Sequence, residues 1–157
     1  MKPEAKLSLE WNMLMNRLPN MDGHESIENT SNTGTPDKAF TISGINGWAE
    51  LKVAKEPKKD STYIKLPHWS KIQRLWMKRR LTSSTVFLVL RVGIWDYILD
   101  THNMFNIENI PYGDLKKHIW KVQIGEHYFW NAANLLLFSN KLRGQDILKT
   151  EINENEY

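Results

Sequence analysis

Over residues 47–54 two kinds of side chain alternate, and this alternation constrains the fold more than any other feature of the chain. Ala49, Leu51 and Val53 fall at one parity, and Trp48, Glu50 and Lys52 at the other. Successive side chains of a β-strand point to opposite faces. A strand here therefore buries the aliphatic set and forces a carboxylate and an ammonium side by side on its other face. A second carboxylate, Asp37, follows Pro36 and opens another strand-like run over 38–43. The turn between the two runs decides how the acids are related. A turn at Ser43-Gly44 sets Asp37 opposite Glu50. A turn at Asn46-Gly47, the stronger two-residue signal by composition, sets it opposite Glu56 instead, about 20 Å away at about 3.3 Å per residue.

The chemistry of these residues is specific in kind. Two carboxylates can share divalent cations, and Mg²⁺ is commonly held by one or two carboxylates together with substrate phosphates. Such an ion polarises a phosphate and acidifies the attacking water, while an ammonium alongside can hold a water or a phosphate oxygen. The expectation is a phosphodiesterase site that uses Mg²⁺ or Mn²⁺.

The charge distribution points to a polyanion. The formal net charge is only +3, yet between Glu50 and Arg80 ten Lys or Arg stand against three Asp or Glu, leaving the rest of the chain at −4. A basic third beside candidate catalytic acids suits a nucleic acid; the bland alternative is a solvated lysine-rich face. At 157 residues with 41% hydrophobic content, one domain with its own core is expected. The chain has no cysteine, which excludes thiolate metal sites, thiol nucleophiles and disulfides. The opening MKPEAKLSLEW lacks the apolar core of a secretory signal, and the longest aliphatic run, Val86 to Leu90, is too short to cross a bilayer. A cytoplasmic location is expected, in the host cytoplasm if the source is a phage.

Elsewhere the periodicity is mostly clear. Leu7, Trp11, Leu14 and Leu18 make one face of a helix that ends before Pro19, with Glu10 on its flank. A short strand is expected at 25–29. Pro67 suits the first turn of a helix in which Trp69, Ile72 and Trp76 form one face and Lys71, Arg74 and Lys78 the opposite one. Gln73 falls inside that apolar stripe, where an amide needs a partner. Residues 86–91 read as a strand buried on both faces, and 94–99 as its hairpin partner through Val92-Gly93. After Thr101 two helices are expected, at 113–121 and 126–140, followed by a frayed acidic end.

The segments IENTSNTGTPD, GWAELKV and IKLPHWSKIQRLW resemble the PD-(D/E)xK nuclease superfamily, most closely phage endonucleases of the VRR-Nuc and Holliday junction resolvase type. The resemblance runs from about Leu7 to Leu99. It implies an α/β, restriction-endonuclease-like mixed sheet flanked by helices over residues 1–100. Residues 101–157 would form a helical C-terminal extension, packed on that core or at a dimer seam. Asp37 and Glu50 would be metal ligands, with the Leu51 carbonyl as a third, and Lys52 would orient the water or stabilise charge on the phosphate. Glu10 matches a first-helix carboxylate that completes the metal site in resolvase-like members, with Glu28 a competitor for that role. Gln73 matches a helix amide that faces the site, and Gly34 would permit a tight approach to Asp37. Lys55, Lys58 and Lys59, with Lys71, Arg74 and Lys78, would grip DNA phosphates without reading sequence. The implied substrate is branched DNA, and a homodimer follows if two strands of a junction are cut.

Glu-x-Lys by itself carries nothing, since it also occurs at Glu4-Lys6 and Glu56-Lys58; only the copy at Glu50-Lys52 lies in an alternating strand. The five His show no metal-ligand spacing, and the chain has neither a Gly-rich phosphate loop nor a Gly-x-Ser-x-Gly elbow. The rival reading is a non-catalytic DNA-binding or phage-assembly protein, in which the same charges are structural.

Overall fold

The computed structural model describes residues 1–18, 21–27, 34–42, 44–81, 83–99, 101–118 and 121–123. It is a mixed α/β structure built on a six-stranded sheet whose spatial order follows the chain. Helix α1 (Pro3–Met15) leads into β1 (Met21–Ser26), β2 (Lys38–Ile42) and β3 (Ile45–Ala54). These three strands form an antiparallel meander. Helix α2 (Lys71–Arg80) lies between β3 and β4 (Thr85–Val92), which pair in parallel, as a crossover connection allows. β5 (Trp95–Leu99) returns antiparallel to β4, and β6 (Lys121–Gln123) pairs antiparallel with β5.

The sheet separates two cores. On one face α1 lays Leu7, Trp11 and Met15 against Phe40, Ile42, Ala49, Leu51, Phe87 and Val89. Trp11, Phe40 and Phe87 meet there as a tilted triangle with centroids 5.7–6.2 Å apart, a geometry aromatic quadrupoles favour. On the other face Val86, Leu88, Leu90 and Val92 pack with Trp69 and Met77, and with Met104, Ile107, Tyr112 and Leu115 from beyond the sheet. β4 is buried along its whole length, as its unbroken apolar run predicts for a strand covered on both faces.

The β2–β3 hairpin takes the less obvious of the two turns. Ile42 pairs with Ile45 and Lys38 with Ala49, so the turn contains Gly44, whose φ of +76° suits glycine. Gly47 is needed elsewhere: a Cβ there would lie 2.1 Å from the Phe40 ring, which fills the space. Asn46-Gly47 is therefore strand, and Asp37 follows the register to a place opposite Glu50.

Other expectations are corrected. β1 begins earlier than 25 and ends at Ser26. In α1 the fully buried residue is Met15, with Leu14 only half-buried at the core edge. Helix α2 starts after Ser70, whose side chain caps it, so Pro67 precedes the helix. In the helix so placed Met77 is buried, Gln73 and Trp76 are half-buried, and Ile72 is 57% exposed. The helix expected over 113–121 is a four-residue helix, α4 (Tyr112–Leu115), followed by strand β6; another short helix, α3 (Thr101–Phe105), follows β5. The helix expected at 126–140 lies outside the described residues. Among the described residues no helix is long and apolar enough to cross a membrane.

Candidate active site

The site lies where the start of β2, the middle of β3 and the first turn of α2 meet. Strand parity sends Glu50 and Lys52 to the face that α2 covers, opposite Leu51 and α1. Both are buried, Glu50 completely, and Lys52 Nζ lies 2.7 Å from Glu50 Oε1.

Asp37 and the Glu50 segment bind each other reciprocally. The Asp37 N–H donates to Glu50 Oε2 at 3.1 Å, and Asp37 Oδ2 accepts from the Leu51 N–H at 3.1 Å. On its other side the Asp37 carbonyl accepts from the Ile27 N–H at 2.8 Å, so the residue is tied between β1 and β3. Gln73 closes the group from α2, its Nε2 donating to Glu50 Oε1 at 2.6 Å. The same side chain completes a capping box: Gln73 Oε1 accepts from the Ser70 N–H, and Ser70 Oγ from the Gln73 N–H, both at 3.1 Å. The amide that stood out within the apolar stripe thus serves both the helix and the site.

Burial is the main reason that the Glu50 carboxyl is pushed up from 4.5 to about 7. The neighbouring Asp37 charge pushes the same way, while Lys52 and the Asp37 N–H work against both. The donor set fits Mg²⁺ or Mn²⁺: two hard carboxylates with oxygen lone pairs to spare after their hydrogen bonds.

Glu10 takes no part in this cluster. It lies on α1, across the sheet, and Arg91 Nη2 donates to its Oε2 at 2.6 Å. Arg91 also grips Asp96 with two bonds of 2.7 Å. Burial works against the Arg91 charge, but Asp96 and then Glu10 outweigh it and raise its pKa. Glu10 is thus a counter-ion to Arg91, a residue at an inward-facing position on β4 whose need for an acid is visible in the strand parity. Glu28 lies outside the described residues. Among the described residues no cluster of three or more His, Asp or Glu could hold a metal, so the two-acid pair stands without a third acid. Leu51 contributes its N–H to Asp37. Gly34 makes its close approach to Ile72 rather than to Asp37, since a Cβ there would meet Ile72 Cγ2 at 2.8 Å.

Lys55, Lys58, Lys59, Lys71 and Lys78 are exposed, and Arg74 is half-buried. The loop holding the first three is tied to α4 by Tyr112 Oη donating to Glu56 Oε1 at 2.6 Å and the Gly113 N–H donating to the Asp60 carbonyl at 2.9 Å.

Lys38 is a group the sequence reading missed. It points to the α1 face, is 1% exposed, and donates to Ser8 Oγ, Asn12 Oδ1 and Ser26 Oγ at 2.6–3.0 Å. Burial lowers its pKa, and the adjacent Asp37 charge opposes that shift. Its signal is a lysine at the parity of Phe40 and Ile42. Comparison with known proteins finds no family model, no curated protein and no solved structure that matches this chain.

Proposed function

We propose that this protein is a Mg²⁺- or Mn²⁺-dependent endodeoxyribonuclease of the PD-(D/E)xK type, with a restriction-endonuclease-like core, that hydrolyses phosphodiester bonds in branched DNA. The observation that carries the reading is the reciprocal bonding of Asp37 with Glu50 and Leu51, with Lys52 and Gln73 both on Glu50 Oε1. The order helix, strand, strand, strand, helix, strand, on which the resemblance rests, supports the reading.

In this reading Asp37 and Glu50 would hold the cation, which would polarise the phosphate and acidify water. Lys52, already within ion-pair reach of Glu50, orients the nucleophilic water and stabilises the charge that grows on the phosphate. Gln73 fixes the Glu50 carboxylate, as outer partners of metal ligands do. The exposed lysines of the 55–59 loop and the outer face of α2 bind backbone phosphates. Cleavage of paired strands in a junction calls for two copies acting together.

A second reading, a non-catalytic DNA-binding protein, is favoured by the withdrawal of Glu10 into the Arg91–Asp96 network. One experiment separates the two: cleavage of matched four-way junction, duplex and single-stranded DNA in Mg²⁺, Mn²⁺ or EDTA, by wild type and Asp37→Ala. Metal-dependent cutting by wild type that vanishes in the variant, with DNA binding retained, is the expected result. Binding without cutting in either metal establishes the second reading.

A further inference from the structure

Beside the site, on the same sheet face, lies an open groove of about 640 Å³. Its floor is made of small side chains, Ala39 on β2 and the Gly23 backbone on β1, with Thr41 beyond them. One wall is Trp48; the far wall is Arg80, the last residue of α2, with Ser83 and Ser84 just before β4. Trp48 is held upright by an edge-on contact with Trp76, centroids 5.0 Å apart, and the Arg80 guanidinium lies 4.9 Å over Trp76.

The groove continues the hairpin that builds the site. Ala39 pairs with Trp48, and each lies two residues from a candidate catalytic acid, Ala39 from Asp37 and Trp48 from Glu50. Alternation puts all four on one face, so groove and site are successive rungs of the same ladder, roughly 7 Å apart along the strand. One nucleotide of an unstacked strand can span that step.

Resting on the nuclease reading, we propose that this groove receives a single unpaired nucleotide next to the scissile phosphate, and that it makes the enzyme select DNA at the point where strands separate. The lining is divided as a nucleotide is divided. Trp48 offers an aromatic surface on which any base can stack. Arg80 offers a cation to the phosphate, and the Ser83 and Ser84 hydroxyls, which donate to the Arg80 carbonyl at 3.4 and 3.2 Å, brace the turn that presents it. Glu25, at the opposite side of the groove, accepts from the exocyclic amine of a base. A paired base would have to leave its stack to enter, whereas an unpaired one enters at low cost.

The test compares a continuous duplex with the same duplex carrying a single-stranded fork, cut in Mg²⁺ by wild type, Trp48→Ala and Ala39→Leu. Ala39→Leu fills the floor and keeps the Trp48–Trp76 contact, so it covers the case in which Trp48→Ala unfolds. Wild type should prefer the fork by about ten-fold or more, and each folded variant should cut fork and duplex equally, at the wild-type duplex rate. A parallel arm without cleavage, in Ca²⁺, places 2-aminopurine at the first unpaired position and reads its quenching on stacking. Quenching by wild type that Ala39→Leu abolishes supports the groove even if nothing is cut, in which case only the nuclease reading falls. Metal-dependent cutting with no fork preference, or with a preference and quenching that Ala39→Leu leaves intact, overturns the groove proposal and leaves the nuclease reading standing.

Discussion

Gln73 Nε2 lies 2.6 Å from Glu50 Oε1 while the oxygen of the same amide accepts from the Ser70 N–H. One side chain thus ties the first turn of α2 to the buried acid of β3. Removing it should disturb both. Gln73→Ala is expected to lower stability by about 1 kcal/mol through the cap and cleavage by about 10–100-fold through the freed carboxylate. Gln73→Glu separates the two effects, since glutamate serves a capping box equally well but sets a third acid against Glu50. Its stability at pH 6 should stay near wild type while its pH–rate profile moves to higher pH. A profile superimposable on that of wild type would count against the contact's role.

The pH dependence of stability follows from Glu50. Its carboxyl sits at about 7 in the folded protein against an ordinary 4.5, so between those values the folded chain keeps a proton that the unfolded chain has released. Stability from this group is therefore full below about pH 4.5, falls as pH rises toward about 7, and is flat above. The ceiling is about 3 kcal/mol. Urea unfolding of wild type and Glu50→Gln at pH 4.5 and 8 checks this: the wild-type loss over the interval should exceed that of the variant.

Metal binding should run the other way. A divalent cation takes the ionised acids and releases protons, so thermal stabilisation by Mg²⁺ or Ca²⁺ should grow from pH 5.5 to pH 8. Asp37→Asn should largely abolish it. A shift of equal size at both pH values, or one that survives Asp37→Asn, places the cation elsewhere.

Glu10 gives the clearest contrast between the resemblance and the packing. With Arg91 as its partner, Glu10→Gln should cost about 1 kcal/mol or less of stability, because the pair is partly open to solvent and Asp96 still holds Arg91, and should leave metal-dependent cleavage within about two-fold of wild type. Loss of cleavage with unchanged stability would return Glu10 to the metal.

The hairpin was legible in the sequence down to the faces of Trp48, Glu50 and Lys52, because a period of two leaves no other arrangement once Ala49, Leu51 and Val53 must be buried. Its turn was only half legible. Asn46-Gly47 has the better local composition, and what displaces it is the Phe40 ring, a cross-strand neighbour that local composition does not reveal. The same holds for Glu10, whose partner lies on β4, and for Ile72, whose exposure depends on where Ser70 starts the helix. Residues 113–121 read as helix because their apolar spacing suits one, yet the sheet's edge takes 121–123 as a sixth strand. Local pattern located the acids; long-range packing chose their partners.

The pairing of Ile42 with Ile45 makes the spacing between two acids depend on a loop that contains neither of them. Inserting a single codon there leaves Asp37, Glu50, Lys52 and Gln73 all in the gene. In the protein, the added residue either widens the loop, with the buried faces of Phe40, Ile42, Ala49 and Leu51 holding the register, or shifts the register and sets Asp37 beside the wrong partner. The site therefore survives a change in loop length only as far as the buried face can hold the register against it. In any set of variant genes that retain activity, the register of Asp37 against Glu50 should be the most invariant property of the hairpin.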